Sequence, residues 1–211
     1  MDPILKEIYQ NILDGQQSEM GIKIQAALES GIPPKKILDE GMIAAMAEVG
    51  RLFEAGEFYV PEMLISARAM QTGLNVLKPH LKEANVQSAG KVAIGTIKGD
   101  LHDIGKNLVA MMLEGAGFEI LDLGTDVQFE KFVTVADDVD VIALSALLTT
   151  TMPGMKTVIN SLQVAGKREK VKIIIGGAPV TQAYADSIGA DGYASDASRA
   201  VAVTMSLLAS K

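Results

Sequence analysis

Hydrophobic positions in the first 84 residues recur at intervals of three and four, the spacing of amphipathic helices. The clearest stretch runs from Leu38 to Phe53, and another from Met63 to Leu81 repeats in the same way. Glycines and prolines separate such stretches, and Asp2-Pro3 offers an N-cap followed by a proline in the first turn. Four helices with short connections predict a small up-down bundle over residues 1–84.

The pattern changes after this region. Residues 85–90 lose the helical periodicity and contain small and polar side chains, which predicts a linker. From residue 91 to residue 211, short apolar runs alternate with helical patterns, and the continuous run at 171–175 is typical of a parallel strand covered on both faces. The predicted strands are 92–97, 119–123, 139–144, 171–175 and 191–194, and the predicted helices are 106–114, 129–136, 155–165, 180–187 and 195–208.

Five β-α units predict a doubly wound, five-stranded parallel sheet with the flavodoxin-like order 2-1-3-4-5. The predicted fold class is therefore α/β, a four-helix bundle followed by a Rossmann-like domain. Such sheets bind ligands at the carboxyl ends of their strands, around the switch between strands one and three. Three unusual segments fall at this edge: Gly99–Gly105 after strand one, the hydroxyl-rich Ser145–Pro153 after strand three, and Gly176–Pro179 after strand four.

Composition narrows the possible functions. The net charge of −7 in 211 residues argues against a nucleic-acid partner, which needs a clustered basic face. The absence of cysteine excludes disulfides, iron–sulfur clusters and thiolate metal sites, and it fits a reducing compartment. No apolar run approaches the roughly 20 residues of a membrane span, and the start of the chain lacks a signal-peptide pattern. We expect a soluble, cytoplasmic protein that does not bind membranes.

His102, one of two histidines, is the main candidate for chemistry. A carboxylate such as Asp100 can accept a hydrogen bond from one imidazole nitrogen and thereby direct the other nitrogen toward a metal. One histidine without cysteine or a second ligand cannot hold a free transition metal. It can supply one axial ligand to a metal held in a macrocycle, and cobalt in a corrinoid fits that description.

Simpler interpretations exist for each part of this site. Asp100 or Asp103 can serve as an ordinary helix N-cap, Gly105 as a turn residue, and the threonine run as a cap for the next helix. A dinucleotide site would need a Gly-x-Gly-x-x-Gly pattern after strand one, which the sequence lacks. A phosphate-accepting receiver domain would need an aspartate at the end of strand three, where Ser145 stands.

The stretch Asp100-Leu101-His102-Asp103-Ile104-Gly105 resembles the Asp-x-His-x-x-Gly signature of base-off/His-on cobalamin-binding proteins. The segments Ser145-Ala146-Leu147-Leu148 and Gly176-Gly177 resemble that family's two further binding segments, and residues 52–61 resemble the end of its helical cap. Residues 98–107 are similar both to the cobalamin region of methionine synthase and to the small corrinoid proteins of methanol, methylamine and betaine methyltransferase systems.

The resemblance implies a role for individual residues. His102 is expected to be the lower axial ligand to cobalt, Asp100 to hydrogen-bond its imidazole, and Thr151 to hydrogen-bond Asp100, with Thr149 and Thr150 as alternatives for that last role. Phe53 and Val60 are expected to shield the upper face of the corrin. The remaining expected cofactor contacts are Gly99, Leu101, Asp103, Ile104, Gly105, Ser145, Leu147, Thr149, Gly176, Gly177, Tyr193 and Ala194.

The implied function is that of a corrinoid methyl carrier, which alternates between cob(I)alamin and methylcobalamin. It would take the methyl group from a substrate-specific methyltransferase and pass it to an acceptor methyltransferase serving tetrahydrofolate or a thiol, with a reductive activation protein as a further partner. No substrate-activating constellation is evident, so we expect a carrier subunit and not a stand-alone enzyme. The alternatives are a cobalamin-dependent sensor or regulator and the small subunit of an adenosylcobalamin mutase. The methyl donor (methanol, methylamines, betaines or methoxylated aromatics), the corrinoid's lower base and the oligomeric state stay open.

Overall fold

The structure, a computed structural model, describes residues 2–209. These residues form two compact units. One contains the chain up to Ser88 together with Glu114–Gly117, and the other contains Ala89–Leu113 together with the chain from Phe118 onward. The break between Ser88 and Ala89 lies within the six residues for which the sequence predicts a linker.

The first unit is helical. Its elements are α1 (Pro3–Leu13), α2 (Gln17–Glu29), α3 (Pro34–Lys36), a π-helix (Ile37–Ile43), α4 (Ala44–Glu54) and α5 (Val60–Glu83). The Asp2 side chain accepts a hydrogen bond of 2.9 Å from the Ile4 amide, which is the N-cap that the sequence predicts for α1. At the start of α5, Glu62 Oε2 accepts the Tyr59 amide at 3.0 Å.

The third predicted helix contains a section that its hydrophobic spacing did not indicate. From Pro34 to Glu54 the chain is helical without interruption, but Ile37–Ile43 is a π-helix. Its wider hydrogen bonding is visible where the Ala44 amide donates to the carbonyl of Asp39, five residues earlier. Buried side chains of this helical unit include the methionines Met20, Met42, Met46, Met63 and Met70.

The second unit is a five-stranded parallel sheet with helices. Its strands are β1 (Lys91–Thr96), β2 (Glu119–Asp122), β3 (Val141–Ser145), β4 (Lys172–Gly176) and β5 (Gly192–Ala194). Its helices are α6 (Ile104–Gly115), α7 (Phe129–Val135), α8 (Pro153–Val164), a 3₁₀ turn (Arg168–Lys170), α9 (Gln182–Ile188) and α10 (Ala197–Ala209). The strand order β2-β1-β3-β4-β5 confirms the predicted doubly wound topology.

The strand register aligns the carboxyl ends of the strands. Thr96 pairs with Ser145, Ser145 with Gly176, and Gly176 with Ala194. These four residues therefore form one row across β1, β3, β4 and β5, and the loops that leave β1, β3 and β4 start from the same edge. The fold thus brings the three sequence segments of interest to one side of the sheet.

Several element boundaries differ from the predicted ones because polar side chains cap the helices. Helix α9 begins at Gln182 and not at Val180, since the Thr181 side chain accepts the Tyr184 amide. Helix α10 begins at Ala197 and not at Ser195, since Asp196 accepts the Arg199 amide at 2.8 Å. The hydrophobic runs predict strands that start at residues 139 and 171, whereas β3 starts at Val141 and β4 at Lys172.

Within residues 2–209, no helix combines the length and the apolar character that crossing a membrane requires.

The space around Gly95 in β1 and around Gly21 in α2 predicts opposite effects for two glycine substitutions. A Cβ atom on Gly95 would lie 2.9 Å from Phe132 Cζ and 3.2 Å from Val127 Cγ2, so we expect Gly95→Ala to lower the free energy of unfolding by about 1–3 kcal/mol. A Cβ atom on Gly21, inside α2, has only Val76 within 4 Å, so Gly21→Ala should raise stability by about 0.5–1 kcal/mol. Thermal unfolding followed by circular dichroism measures both, and equal effects of the two variants would contradict this packing.

Candidate functional site

The site is built around the loop that joins β1 to α6. The Asp100 side chain in this loop is completely buried, whereas the His102 side chain is 51% exposed. The two side chains meet through a 2.7 Å hydrogen bond between His102 Nδ1 and Asp100 Oδ1. The loop therefore holds a buried carboxylate underneath an imidazole that is open on its other side.

Asp100 is held by donors from two loops. Its Oδ1 accepts the His102 amide at 3.1 Å in addition to the imidazole. Its Oδ2 accepts the Leu147 amide at 2.8 Å, the Leu148 amide at 3.2 Å and the Thr151 hydroxyl at 2.8 Å. Because Leu147, Leu148 and Thr151 all follow β3, the carboxylate joins the loop after β1 to the loop after β3.

These donors determine the charge of Asp100. Burial by itself raises the pKa of the Asp100 carboxyl, but the hydrogen bonds from the His102 ring, the Leu147 amide and the Thr151 hydroxyl lower it by more. The pKa of Asp100 consequently lies well below its ordinary value. Asp100 is therefore an anion at neutral pH.

An anionic Asp100 fixes the proton of the His102 ring. Since the carboxylate can only accept, His102 Nδ1 must donate, which leaves Nε2 as the nitrogen that carries a lone pair in the neutral ring. Among residues 2–209, no hydrogen bond to Nε2 is present. The exposed nitrogen is thus oriented and available as a metal ligand.

Three successive threonines follow Leu148, and their geometry distinguishes them. The Thr151 hydroxyl lies 2.8 Å from Asp100 Oδ2 and 2.9 Å from the Leu148 carbonyl oxygen. Thr149 and Thr150 are exposed, and neither side chain hydrogen-bonds Asp100. The geometry therefore favours Thr151 as the hydroxyl that supports the Asp100–His102 pair.

Two supporting residues were not identified from the sequence. The Thr96 hydroxyl, completely buried at the end of β1, donates to the His102 carbonyl oxygen at 2.9 Å. Asp126, in the loop after β2, accepts the Gly99 amide at 2.7 Å, and its own amide donates to the Asp100 carbonyl at 3.0 Å. The predicted strand order already places strand two beside strand one, and that adjacency was the available signal for Asp126.

Gly177 allows two backbone segments to approach closely. A Cβ atom on Gly177 would lie 1.8 Å from the Ala146 carbonyl oxygen, and its φ of +127° disfavours other residues. A Cβ atom on the neighbouring Gly176 would lie 3.0 Å from the Ala194 carbonyl oxygen. These glycines therefore set the spacing among the ends of β3, β4 and β5.

The other predicted contact residues fall into two groups. Those of the sheet unit lie in the loops and strand ends described above: Gly99, Leu101, Asp103, Ile104, Gly105, Ser145, Leu147, Thr149, Tyr193 and Ala194. Phe53, in the last turn of α4, and Val60, the first residue of α5, belong to the helical unit, and their role as a shield stays a prediction.

The residues around His102 fit a corrinoid. Leu101 and Ile104, which lie one residue before and two residues after His102 in the sequence, are 73% and 75% exposed. A Cβ atom on Gly105 would meet nothing within 4 Å, which leaves open space next to this loop. Residues 2–209 contain no group of three or more His, Cys, Asp or Glu side chains able to hold a metal ion. One oriented imidazole, with exposed apolar residues close to it in the sequence, suits a metal that arrives inside a macrocycle.

Comparison with known proteins identifies relatives of both units. Two family models, each described as a B12 binding domain, match residues 4–78 and 90–202. Dimethylamine corrinoid protein 1 of Methanosarcina acetivorans is 48% identical over 192 residues, which is 88% of this chain and 90% of that protein. Trimethylamine corrinoid protein 1 of the same organism is 45% identical over 188 residues, or 87% of each chain.

A solved structure agrees with these matches. A chain of the methanol:cobalamin methyltransferase complex from Methanosarcina barkeri superposes with a TM-score of 0.87 at 29% identity, covering 100% of this chain and 81% of that one.

The lowered pKa of Asp100 predicts how stability depends on pH. The ionised carboxylate stabilises the fold fully above its unfolded-state pKa of about 3.9, and this contribution is lost as the pH falls toward the lower folded-state pKa. Asp100→Asn should therefore lower the free energy of unfolding at pH 7 by about 2 kcal/mol, because buried donors lose their acceptor.

Thermal unfolding between pH 3 and pH 7 tests this. The difference in Tm between wild type and Asp100→Asn should shrink on acidification. The control is Asp103→Asn, which changes an exposed carboxylate and should differ from wild type in Tm by much less. A difference for Asp100→Asn that grows at low pH contradicts the assignment.

The close approach at Gly177 predicts a position-specific effect. Gly177→Ala should lower the free energy of unfolding by about 1–3 kcal/mol beyond the effect of Gly166→Ala, since the Ala146 carbonyl must move aside. Gly166 is the matched control: its φ is +66° and nothing lies within 4 Å of its added Cβ. Chemical denaturation measures both variants, and equal losses would exclude the steric explanation.

Proposed function

This chain belongs to the corrinoid proteins of methyltransferase systems, whose cofactor is cobalamin or a related corrinoid, and we propose that it is the methyl carrier of such a system. The observation that carries the proposal is the oriented His102 imidazole, whose Nε2 is unpartnered within residues 2–209 and whose Nδ1 lies 2.7 Å from a buried carboxylate. When bound, the corrinoid supplies a cobalt that accepts a methyl group from one enzyme and gives it to another.

His102 is the residue that we propose as the lower axial ligand. Because Asp100 keeps the imidazole proton on Nδ1, Nε2 presents its lone pair without a change of tautomer. The binding is then base-off/His-on, with the protein nitrogen in place of the cofactor's own base. Leu147, Leu148 and Thr151 keep Asp100 charged, so their donors also help to hold the imidazole proton on Nδ1.

We propose that the rest of the cofactor binds at the carboxyl ends of the strands. We propose that the nucleotide tail runs into the sheet past a set of residues at these strand ends: Ser145, Leu147, Thr149, Gly176, Gly177, Tyr193 and Ala194. Phe53 and Val60 of the helical unit are proposed to cover the opposite face of the corrin. The helical region 1–84 then acts as a cap and residues 91–211 as the cobalamin-binding domain.

The proposed methyl donor is a methylamine. Support comes from the relatives that are 48% and 45% identical, which are named dimethylamine and trimethylamine corrinoid proteins. The proposed partners are a substrate-specific methylamine methyltransferase, an acceptor methyltransferase serving a thiol or tetrahydrofolate, and a reductive activation protein. We place the system in the cytoplasm.

The axial-ligand proposal predicts a difference between the two histidines. In the cobalamin-loaded protein, His102→Ala should lose the absorption spectrum given by an axial protein nitrogen and should bind cobalamin about 10- to 100-fold more weakly. His80→Ala, in the last turn of α5, should leave both unchanged. Coincident spectra and affinities for wild type and His102→Ala would contradict axial ligation.

The carrier proposal predicts which cofactor and donor the protein uses. The reduced, cobalamin-loaded protein should be methylated when dimethylamine or trimethylamine is supplied with its methyltransferase, and not when methanol is supplied with a methanol methyltransferase. Absorption spectra follow the methylation. Preferential binding of adenosylcobalamin over methylcobalamin would instead indicate a mutase subunit.

A further inference from the structure

Lys106, the residue after Gly105, has a buried side chain in the sheet unit. Only 2% of its surface is exposed. Its Nζ donates to Asp122 Oδ1 at 2.7 Å, to Asp122 Oδ2 at 2.6 Å and to Asn107 Oδ1 at 2.7 Å. The ammonium group thus uses all three of its protons, and none of the site contacts described above involves it.

The burial of this lysine is not explained by a gain in the stability of the fold. Removing an ammonium ion from water is costly, and a buried ion pair often stabilises a fold no more than apolar residues of similar size would. A buried charge does impose one arrangement on its partners, because each lost contact leaves an uncompensated charge. Asp122, the last residue of β2, is still 46% exposed on its side chain, so the ion pair fixes an otherwise accessible carboxylate.

From Asp122 a series of hydrogen bonds leads back to His102. Asp122 Oδ1 also accepts the Gly124 amide at 2.9 Å, and the Gly124 carbonyl accepts the Thr96 amide at 3.0 Å. The Thr96 hydroxyl in turn donates to the His102 carbonyl at 2.9 Å. Lys106 is only four residues from His102 in sequence, but this series of hydrogen bonds also connects it to the His102 backbone through the ends of β2 and β1.

A shorter route runs along the start of α6. With its Oδ1 bound to Lys106, the Asn107 amide group has its Nδ2 directed to Asp103 Oδ2 at 3.2 Å. The Asn107 backbone amide donates to the Asp103 carbonyl at 2.7 Å. Asp103 directly follows His102, so the two routes from Lys106 reach the loop at the His102 carbonyl and at the next residue.

We propose that Lys106 is a positioning residue for His102, whose buried ammonium group locks the segment after β2 and the start of α6 around the histidine backbone. This inference rests on the proposed axial ligation. Without the ammonium group, the Asp122 carboxylate turns to solvent, the Gly124–Thr96–His102 connection loosens, and the imidazole samples orientations in which Nε2 does not face the cofactor. The expected cost is in cobalt ligation more than in folding.

The test compares four variants as cobalamin-loaded full chains. Lys106→Met keeps an unbranched side chain that is one atom shorter, and it removes the ammonium group. Asp122→Asn removes the same ion pair from its half-exposed partner and keeps the volume. Lys91→Met is the matched control, since Lys91 pairs with Glu119 at the opposite end of β1 and β2. Ile159→Val removes a methyl group from the core of the sheet unit, and Ile159 takes no part in the hydrogen bonds that connect Lys106 to His102.

Two quantities are measured: the cobalamin affinity, and the fraction of cobalt with an axial protein nitrogen. The absorption spectra of wild type and His102→Ala calibrate that fraction. Lys106→Met and Asp122→Asn should lower the axial fraction and weaken cobalamin binding, by less than His102→Ala does, because they act through His102. Lys91→Met and Ile159→Val should change neither, even where Ile159→Val lowers the Tm.

The outcomes separate this inference from the function on which it rests. If wild type and Lys106→Met have the same axial fraction, Lys106 is not a positioning residue and the proposed function stands. If wild type itself lacks an axial protein nitrogen, both proposals are overturned. Should Lys106→Met fail to fold, Asp122→Asn decides the question, and its retention of the wild-type spectrum and affinity would overturn the inference.

Discussion

The hydrogen bond between a buried carboxylate and a half-exposed imidazole is the interaction on which the site depends. Asp100 can be an anion in the protein interior because amide and hydroxyl donors from the loop after β3 surround it. Its charge keeps the His102 proton on Nδ1, and this leaves Nε2 as the nitrogen that carries the lone pair in the neutral ring. If the β3 loop did not supply these donors, burial would favour the neutral acid, and the orientation of the imidazole would no longer be fixed.

The sheet topology makes this arrangement possible. A parallel sheet of order β2-β1-β3-β4-β5 places the loops after β1 and β3 side by side, although 47 residues separate Asp100 from Leu147. The flanking strands contribute as well: Gly177 permits contact at Ala146, and Asp126 after β2 holds the backbone of Gly99 and Asp100. The histidine loop is therefore supported directly from the loops after β2 and β3, and indirectly from Gly177 after β4 through Ala146.

Much of this could be predicted from the sequence, because it depends on local patterns. Alternating apolar runs and helical periodicities give the strands and their order, and the Asp-x-His-x-x-Gly spacing gives the central pair. What the sequence did not indicate depends on contacts through space. The π-helix at Ile37–Ile43 has the same hydrophobic residues as an α-helix, and the pairing of Lys106 with Asp122 requires two elements to be packed first. Thr151 could be separated from Thr149 and Thr150 only by the distance to Asp100.

The central claim is that the nitrogen bound to cobalt belongs to this protein. The most direct test is electron paramagnetic resonance of the cobalamin-loaded protein reduced to its cobalt(II) form, recorded with unlabelled cobalamin and with the protein either unlabelled or uniformly labelled with nitrogen-15. Ligation through His102 predicts that the nitrogen splitting changes from triplets in the unlabelled protein to doublets in the labelled one. Triplets that persist in the labelled protein would show that the cofactor's own base binds cobalt, and they would contradict the account.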